Sequence, residues 1–176
     1  LHFTDDLSLI KDVLKDVQVK GRVEIVPVSD KFTIMIDYAY NAMSLESLLS
    51  SLREYHPRRL VTVFGCGGNR SKARRFEMGE VSSRMADFSI ITSDNPRFEK
   101  PGEIINDILT GVQKADGAYR MIEDRTNAIS YALEHAQEGD VIIVAGKGHE
   151  DYQILNDEPL PFSERQIIEE YFQEKD

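Results

Sequence analysis

Short apolar runs alternate along this chain with longer segments whose apolar residues recur at helical spacing. The clearest run, residues 141–145, consists of five consecutive apolar residues and is typical of a strand buried on both faces. Strands that alternate with helices of about ten to fifteen residues form parallel sheets, because each helix returns the chain to the same edge. We therefore predict an α/β fold: a doubly wound, mostly parallel sheet with helices on both faces.

The predicted elements follow this alternation. Strands are expected over residues 24–28, 32–37, 59–65, 88–92, 119–122, 141–145 and, as an edge strand, 152–155. Helices are expected before residue 15, from a Ser44 cap through Leu52, and over about 76–84, 101–112, 124–137 and 163–172. Gly21 interrupts the pattern, so residues 1–18 are expected to end a preceding domain and residues 19–176 to form one domain.

The composition excludes several classes of protein. A formal net charge of −10 over 176 residues disfavours nucleic-acid binding, which requires a basic face. The single cysteine, Cys66, excludes an internal disulfide and a cysteine-based zinc site. No apolar run approaches the length of about 18 residues that spans a bilayer, and the amino end has no signal-peptide pattern. We expect no membrane partner, a cytoplasmic location and, because the chain opens at Leu1, a fragment of a longer protein.

Four predicted strands end in loops rich in glycine and polar residues, at residues 37–41, 65–70, 94–97 and 146–150. Open α/β sheets bind their ligands at this carboxyl edge. A plainer interpretation stays open for each loop, because Asn, Asp, Gly and Pro are common in ordinary turns. The second loop lacks the G-x-G-x-x-G spacing of a dinucleotide site, and the fourth lacks the remainder of a Walker loop.

Other residues in these segments are more typical of structural roles when each is considered alone. His149 has the features of a hydrogen-bonded structural histidine, and Cys66 those of a small packing residue. Arg74 and Arg75 are typical of a solvated helix face.

Taken together, the strand ends indicate a ligand with both signs of charge. Arg70 and Arg97 each present a planar guanidinium suited to a carboxylate, and Glu150 offers a partner for an ammonium group. Diamino-dicarboxylic acids are one class of small molecule that would satisfy this set, although the residue types do not require it.

Several ordered motifs carry a resemblance to a known family. They lie at residues 20–24, 37–39, 65–70, 78–79, 92–97 and 146–152. The chain resembles the carboxyl-terminal domain of a Mur ligase, and within that family the members that add meso-diaminopimelate to UDP-N-acetylmuramoyl-L-alanyl-D-glutamate in peptidoglycan synthesis. The resemblance implies a Rossmann-like sheet and identifies residues 1–18 as the end of the central, ATP-binding domain. The chain differs from the residues usual in the family at Tyr40, Ala42 and Met43.

The resemblance also implies a mechanism and a set of site residues. In this family ATP phosphorylates the glutamate carboxylate, and the incoming amine attacks the acyl phosphate. Arg22 and Asp37 match catalytic positions near the nucleotide, where Arg22 would stabilise charge on the transferring phosphoryl group. Asn41 is included with them as an expected ATP contact. The implied contacts to meso-diaminopimelate are Arg70, Asp94, Asn95, Pro96, Arg97, Gly146 and Glu150.

The implied cofactors are ATP and Mg²⁺, and the implied partners are meso-diaminopimelate, the UDP-MurNAc-dipeptide and the two preceding domains of the ligase. The chain has no Walker loop, so we expect it to be inactive in ligation by itself. Two other classes stay open from the residues: a dinucleotide-binding oxidoreductase domain and a non-catalytic module that binds an amino acid.

Overall fold

The computed structural model describes residues 19–173 of the chain. Its strands are β1 Glu24–Val26, β2 Thr33–Asp37, β3 Arg59–Phe64, β4 Phe88–Ile91, β5 Tyr119–Met121, β6 Asp140–Ala145, β7 Tyr152–Leu155 and β8 Glu158–Pro161. Its helices are α1 Ala42–Arg53, α2 Lys72–Met85, α3 Pro101–Ala115, α4 Arg125–Glu134 and α5 Glu164–Gln173. The helix expected before residue 15 and the domain end expected over residues 1–18 lie outside the described residues.

Six strands form one sheet with the order β1-β2-β6-β3-β4-β5. The pairs β2–β6, β6–β3, β3–β4 and β4–β5 are parallel, and only β1 runs antiparallel to its neighbour. The prediction of a mostly parallel sheet is therefore confirmed, and β6, the most apolar strand, lies in the interior as its composition requires.

Helices cover both faces of the sheet, as predicted. On one face α1, α2 and α3 contribute Leu49, Met78 and Ile108 to a core over the sheet. On the other face α4 and α5 contribute Ile129 and Ile168. Successive residues of β6 alternate between the two cores, because side chains alternate along a strand. No helix among the described residues is both long and apolar enough to cross a membrane.

The insertion of β6 between β2 and β3 aligns the ends of four strands. Asp37 pairs with Ala145, Ala145 with Phe64, and Phe64 with Ile91. The four loops that leave these strands therefore start from one row along the carboxyl edge of the sheet. This register brings together segments that are up to about 110 residues apart in the chain.

Three sequence predictions about individual elements were wrong. Ser44 does not cap α1: Asn41 does, its side chain accepting a hydrogen bond from Ser44 N at 2.9 Å while Ser44 Oγ accepts one from Asn41 N at 3.3 Å. Helix α2 begins at Lys72 rather than near residue 76. The strand predicted over residues 152–155 is present as β7, but it is not an edge of the main sheet: it pairs with β8 in a separate hairpin and meets Arg97 in an isolated bridge.

Candidate functional site

A pocket of about 280 Å³ opens at the carboxyl edge of the sheet, above the aligned strand ends. The structure brings together in its lining six of the residues predicted to contact an amino acid: Arg70, Asp94, Asn95, Arg97, Gly146 and Glu150. Tyr38, Tyr40 and Arg74 also line it, and the sequence analysis assigned none of them to the amino-acid site. Pro96 does not line this pocket; it faces a separate depression beside Pro101 and Gln153.

The 94–97 loop is held by the β7–β8 hairpin. Arg97 N donates to Ile154 O at 3.1 Å, and Asn156 N donates to Arg97 O at 2.8 Å, which forms a short parallel bridge. Arg97 has a φ of 54°, in the left-handed region, so its side chain leaves the loop in a direction that a regular strand would not allow. Its Nη1 donates to Gly68 O at 3.0 Å and to Asn95 O at 3.3 Å.

Asn95 is held in one orientation at the base of the pocket. Its Oδ1 accepts hydrogen bonds from Lys147 Nζ at 2.8 Å and from Ile154 N at 3.0 Å. Two donors on one side identify that atom as the oxygen, so Nδ2 points the other way and donates to Glu150 Oε2 at 3.1 Å. Asn95 therefore links the β7–β8 hairpin to Glu150 in the pocket.

Lys147 is a buried cation at the site, and its sequence context, an incomplete Walker loop, gave no sign of this position. Its Nζ also donates to Tyr152 O at 2.7 Å and lies 3.6 Å from Glu150 Oε2 and 4.0 Å from Asp94 Oδ1. Complete burial lowers the pKa of Lys147, while the carboxylates of Asp94 and Glu150 oppose that shift. The ammonium group of Lys147 therefore offsets part of the negative charge of Asp94 and Glu150.

Glu150 receives hydrogen bonds from two sides of the pocket. Besides the Asn95 amide, Tyr38 Oη donates to Glu150 Oε1 at 3.1 Å. Burial and the neighbouring Glu150 carboxylate raise the pKa of Tyr38, so the phenol stays protonated and remains a donor. The Tyr38 ring stacks on the His149 ring with centroids 5.4 Å apart, and the Arg22 guanidinium lies 4.9 Å from the Tyr38 ring centroid.

Three arginines, Arg70, Arg74 and Arg97, line the pocket together with these carboxylates. A Cβ added at Gly67 would lie 2.9 Å from Arg97 Nη1 and 3.7 Å from Arg70 Cγ, so both arginines border this glycine. Arg70 is exposed, and among the residues that the structure describes its Nη1 contacts the carbonyl of Asn69 at 3.5 Å. Arg74 lies 5.6 Å from the Tyr40 ring centroid. The pocket lining thus contains both cationic groups and carboxylates, as a zwitterionic ligand requires.

The predicted nucleotide contacts Arg22, Asp37 and Asn41 lie outside the pocket lining. Asp37 is buried, and its two oxygens accept hydrogen bonds from Val23 N and Ala39 N, each at 2.8 Å. Asn41 caps α1, whereas Arg22 is exposed. Asp37 and Asn41 therefore have structural roles at the end of β2, and a nucleotide contact for any of the three stays a prediction.

The expectation of a solvated helix face was wrong for Arg75. It is 1% exposed, and it shares the buried face of α2 with Met78 and Ser82, a spacing that could have shown its burial. Its guanidinium pairs with Glu99 and with Asp107, each at 2.8 Å. Arg74, by contrast, lies at the pocket.

A second buried arginine lies beneath the strand ends, where no sequence signal marked it. Arg125 pairs with Glu164 at 2.7 Å and donates to Ala145 O at 2.8 Å and Ser93 O at 3.2 Å. It therefore ties the ends of β4 and β6 to the start of α5.

The packing role expected for Cys66 is confirmed. Its side chain is buried and its Sγ lies 3.6 Å from Met78 Sδ. Burial raises the pKa of Cys66 to about 12, so the thiol is neutral and unreactive at physiological pH.

The site does not fit a magnesium ion. In the part of the chain that the structure describes, no three His, Cys, Asp or Glu side chains are grouped to hold a metal, and Lys147 lies between the two pocket carboxylates.

Comparison with known proteins gives consistent results. A protein-family model described as "Mur ligase, glutamate ligase domain" matches residues 21–148. Two relatives named UDP-N-acetylmuramoyl-L-alanyl-D-glutamate–2,6-diaminopimelate ligase are 48% identical over 97% of the chain (Caldanaerobacter subterraneus subsp. tengcongensis) and 47% identical over 96% (Clostridium botulinum). The chain spans 35% of the length of each of these two relatives.

Solved structures show the same fold. A structure titled with the same ligase name superposes with a TM-score of 0.83 at 32% identity, over 98% of this chain and 35% of that one. A bifunctional folylpolyglutamate synthase/dihydrofolate synthase from Yersinia pestis has a TM-score of 0.61 at 21% identity, over 85% of this chain and 33% of its own, which shows a common fold only.

Proposed function

Because the chain belongs to the Mur ligase family, as its glutamate ligase domain, we propose that it forms the amino-acid-binding part of an ATP-dependent ligase. The proposed reaction adds meso-diaminopimelate to UDP-N-acetylmuramoyl-L-alanyl-D-glutamate in peptidoglycan synthesis. Relatives that carry this ligase name are about three times as long as the chain, whose share of them is 35%. The activity, the substrates and a cytoplasmic location, where ATP is supplied, are therefore inferred for the complete gene product.

The observation that supports this proposal most directly is the charge arrangement of the pocket. Arg70 and Arg97 line the pocket and border Gly67, while Glu150 and Asp94 line it beside Lys147. A molecule with a carboxylate at each end and an ammonium group beside each carboxylate satisfies both kinds of charged group at once. We propose that the two guanidinium groups bind the two carboxylates and that Glu150 binds an ammonium group.

The proposed chemistry joins an amine to an activated carboxylate. The γ-phosphoryl group of ATP passes to the glutamate carboxylate of the UDP-linked dipeptide, giving ADP and an acyl phosphate. The amine, once it has lost a proton, attacks the acyl carbon, and a tetrahedral intermediate expels phosphate and leaves an amide bond. The residues of this chain hold the amine in position for that attack, which is where orientation accelerates a two-substrate reaction.

Arg22, Asp37 and Asn41 are proposed to lie near the nucleotide. Arg22 is exposed and rests against the ring of Tyr38, at the border of the pocket, so its guanidinium is free to face a transferring phosphoryl group. Asp37 would act through the backbone groups it holds, at Val23 and Ala39. We place the phosphate-binding loop and the magnesium ligands in the part of such a ligase that this chain does not span.

The proposal explains why lysine would be rejected. Lysine has one carboxylate, so it leaves either Arg70 or Arg97 without a carboxylate partner in the pocket. A charge-assisted hydrogen bond contributes about 1.5–3 kcal/mol. The loss corresponds to a discrimination of about ten- to a hundredfold. No observation favours the oxidoreductase or the non-catalytic module, because the relatives are named as ligases.

Steady-state ligation by the complete gene product tests this function. The release of ADP that requires the UDP-linked dipeptide should also require meso-diaminopimelate. The kcat/KM for L-lysine should be lower than that for meso-diaminopimelate by at least about tenfold. Arg97→Ala should remove most of that preference. Arg120→Ala is the matched control, since Arg120 is exposed on the edge strand β5 and does not line the pocket. Equal use of both amino acids by the wild type would refute the proposed substrate.

A further inference from the structure

The two arginine-bearing loops are in direct backbone contact. Gly68 N donates to Asn95 O at 2.9 Å, and Phe98 N donates to Asn69 Oδ1 at 3.3 Å. Arg97 Nη1 adds a third link by donating to Gly68 O at 3.0 Å. Because Arg70 follows Asn69 directly, the position of its side chain depends on how the 67–70 loop is held against the 94–99 loop.

An ion pair between the buried Arg75 and the half-buried Glu99 holds this contact from outside the pocket. The carboxylate of Glu99 accepts two hydrogen bonds from Arg75, from Nη1 and Nη2, each at 2.8 Å. The same Glu99 oxygen that faces Nη2 also accepts a hydrogen bond from Asn69 N. Arg75 Nη2 in turn donates to Gly67 O at 3.3 Å. The Glu99–Arg75 pair thus holds the backbone of the 67–70 loop on either side of Gly68, Glu99 at Asn69 and Arg75 at Gly67.

Neither Glu99 nor Arg75 lines the pocket, so neither residue contacts the ligand that we assign to it. We propose that Glu99, oriented by Arg75, is a positioning residue that sets the separation of the Arg70 and Arg97 guanidinium groups. The pocket would thereby select amino acids by the distance between their two carboxylates. This inference rests on the proposed function. Its physical reason is preorganisation: two long arginine side chains on independently moving loops would accept dicarboxylates of several lengths.

The chain offers a matched pair of variants. Arg75 pairs equally closely with Glu99 and with Asp107, and the side chains of these two acids are similarly exposed, at 26% and 20%. Only Glu99 also bonds to the 67–70 loop, whereas Asp107 lies on α3 and has Lys72 as its other partner at 3.4 Å. In Glu99→Gln at least one of the three donors that faced the carboxylate is left without an acceptor oxygen. Asp107→Asn weakens the Arg75–Asp107 ion pair and removes no contact with the loop.

The test compares meso-diaminopimelate with 2,5-diaminoadipate, which is one methylene shorter, as substrates of the complete gene product. For the wild type and both variants, the ratio of kcat/KM for the two amino acids is measured together with the thermal unfolding midpoint. We expect Glu99→Gln to reduce the preference for meso-diaminopimelate by about tenfold. Asp107→Asn should keep the preference while lowering the unfolding midpoint to a similar extent.

The outcomes separate this inference from the function on which it rests. A wild type that does not use meso-diaminopimelate refutes the proposed function. A wild type that uses both amino acids equally well refutes length selection alone. The positioning role is also refuted where Glu99→Gln keeps the wild-type preference, or where the two variants lose it equally.

Discussion

Gly68 packs directly against the backbone of the 94–97 loop, the other loop that carries a pocket arginine. A Cβ built there would lie 1.8 Å from the carbonyl oxygen of Pro96, and backbone on a held loop cannot move aside as the end of a side chain can. Glycine is therefore required by close approach rather than by its own φ. Pro96 does not line the pocket, but its carbonyl oxygen forms this close contact between the two loops.

We expect Gly68→Ala to lower the free energy of unfolding by about 1–3 kcal/mol and to weaken binding of meso-diaminopimelate, because overpacking separates the two loops. Urea unfolding and calorimetry measure the two effects. Gly102→Ala is the control: its added Cβ would lie 3.4 Å from Glu123 Oε2 and meet nothing closer, so stability should be unchanged or slightly higher. A Gly68→Ala protein that binds like the wild type would contradict the close contact.

Glu99 should make the stability of the protein depend on pH in the acidic range. The hydrogen bonds from Arg75 hold the pKa of Glu99 at about 2 in place of the ordinary 4.5. Because the pKa is lower in the folded state, the charged form stabilises the fold above the unfolded value. That contribution is lost as the pH falls from about 4.5 to about 2.

The measurement is the difference in unfolding free energy between wild type and Glu99→Gln, followed from neutral pH into this range. The wild-type advantage should be constant near neutrality and shrink on acidification. A difference that stays the same down to about pH 2 would show that Glu99 has no depressed pKa.

Among the elements, α1 illustrates how a local motif decides where a helix begins. Asn41 and Ser44 form a reciprocal capping box in which each side chain satisfies a backbone N–H of the other residue. From the sequence, Ser44 is predicted as the cap because serine is a good capping residue and the leucines follow it directly. Asn41, three residues earlier, is an equally good capping residue, and with Asn41 as the cap Ser44 lies inside the first turn.

Asn41→Ala should lower the unfolding free energy by about 1 kcal/mol, since alanine accepts no hydrogen bond at the cap. Ser50→Ala, at an exposed position within the same helix, should have little effect. The variant also tests the expected ATP contact. An increase in KM for ATP in the complete gene product supports a nucleotide contact, and an unchanged KM with lower stability limits Asn41 to capping.

At the scale of the whole molecule, the Arg125–Glu164 pair connects parts of the fold that are far apart in sequence. It joins α4 to α5, and through Ser93 and Ala145 it reaches the ends of β4 and β6, from which two pocket loops leave. Both side chains are almost completely buried. A buried pair stabilises little relative to apolar residues, but removal of one partner leaves an uncompensated charge.

Glu164→Ala should therefore lower the unfolding free energy by about 3–5 kcal/mol, measured by urea denaturation. Arg125→Met combined with Glu164→Ala should be more stable than Glu164→Ala alone, because no unpaired guanidinium remains. A single variant that loses less than about 1 kcal/mol would show that Arg125 finds another partner or water.

The amino-acid sequence by itself determined the class of fold and the loops that line the candidate pocket. Helical and strand periodicities are local patterns, so the strand over residues 141–145 and the leucine face of α1 could be predicted without knowledge of their neighbours. The polar residues after four apolar runs likewise identified Arg70, Asp94, Arg97 and Glu150 as candidates, since side chains of these types have little use in an ordinary core.

Only the tertiary structure decided how these pieces meet. The place of β6 between β2 and β3, which aligns the four loops, arises from pairings across about 100 residues that no local pattern encodes. The burial of Arg125 and Lys147 was missed for the same reason, and the spacing on α2 indicates a buried position for Arg75 but not its partners. A charged side chain is expected in water unless its partners are known, and the carboxylates of Glu99 and Glu164 and the amide of Asn95 come from distant segments.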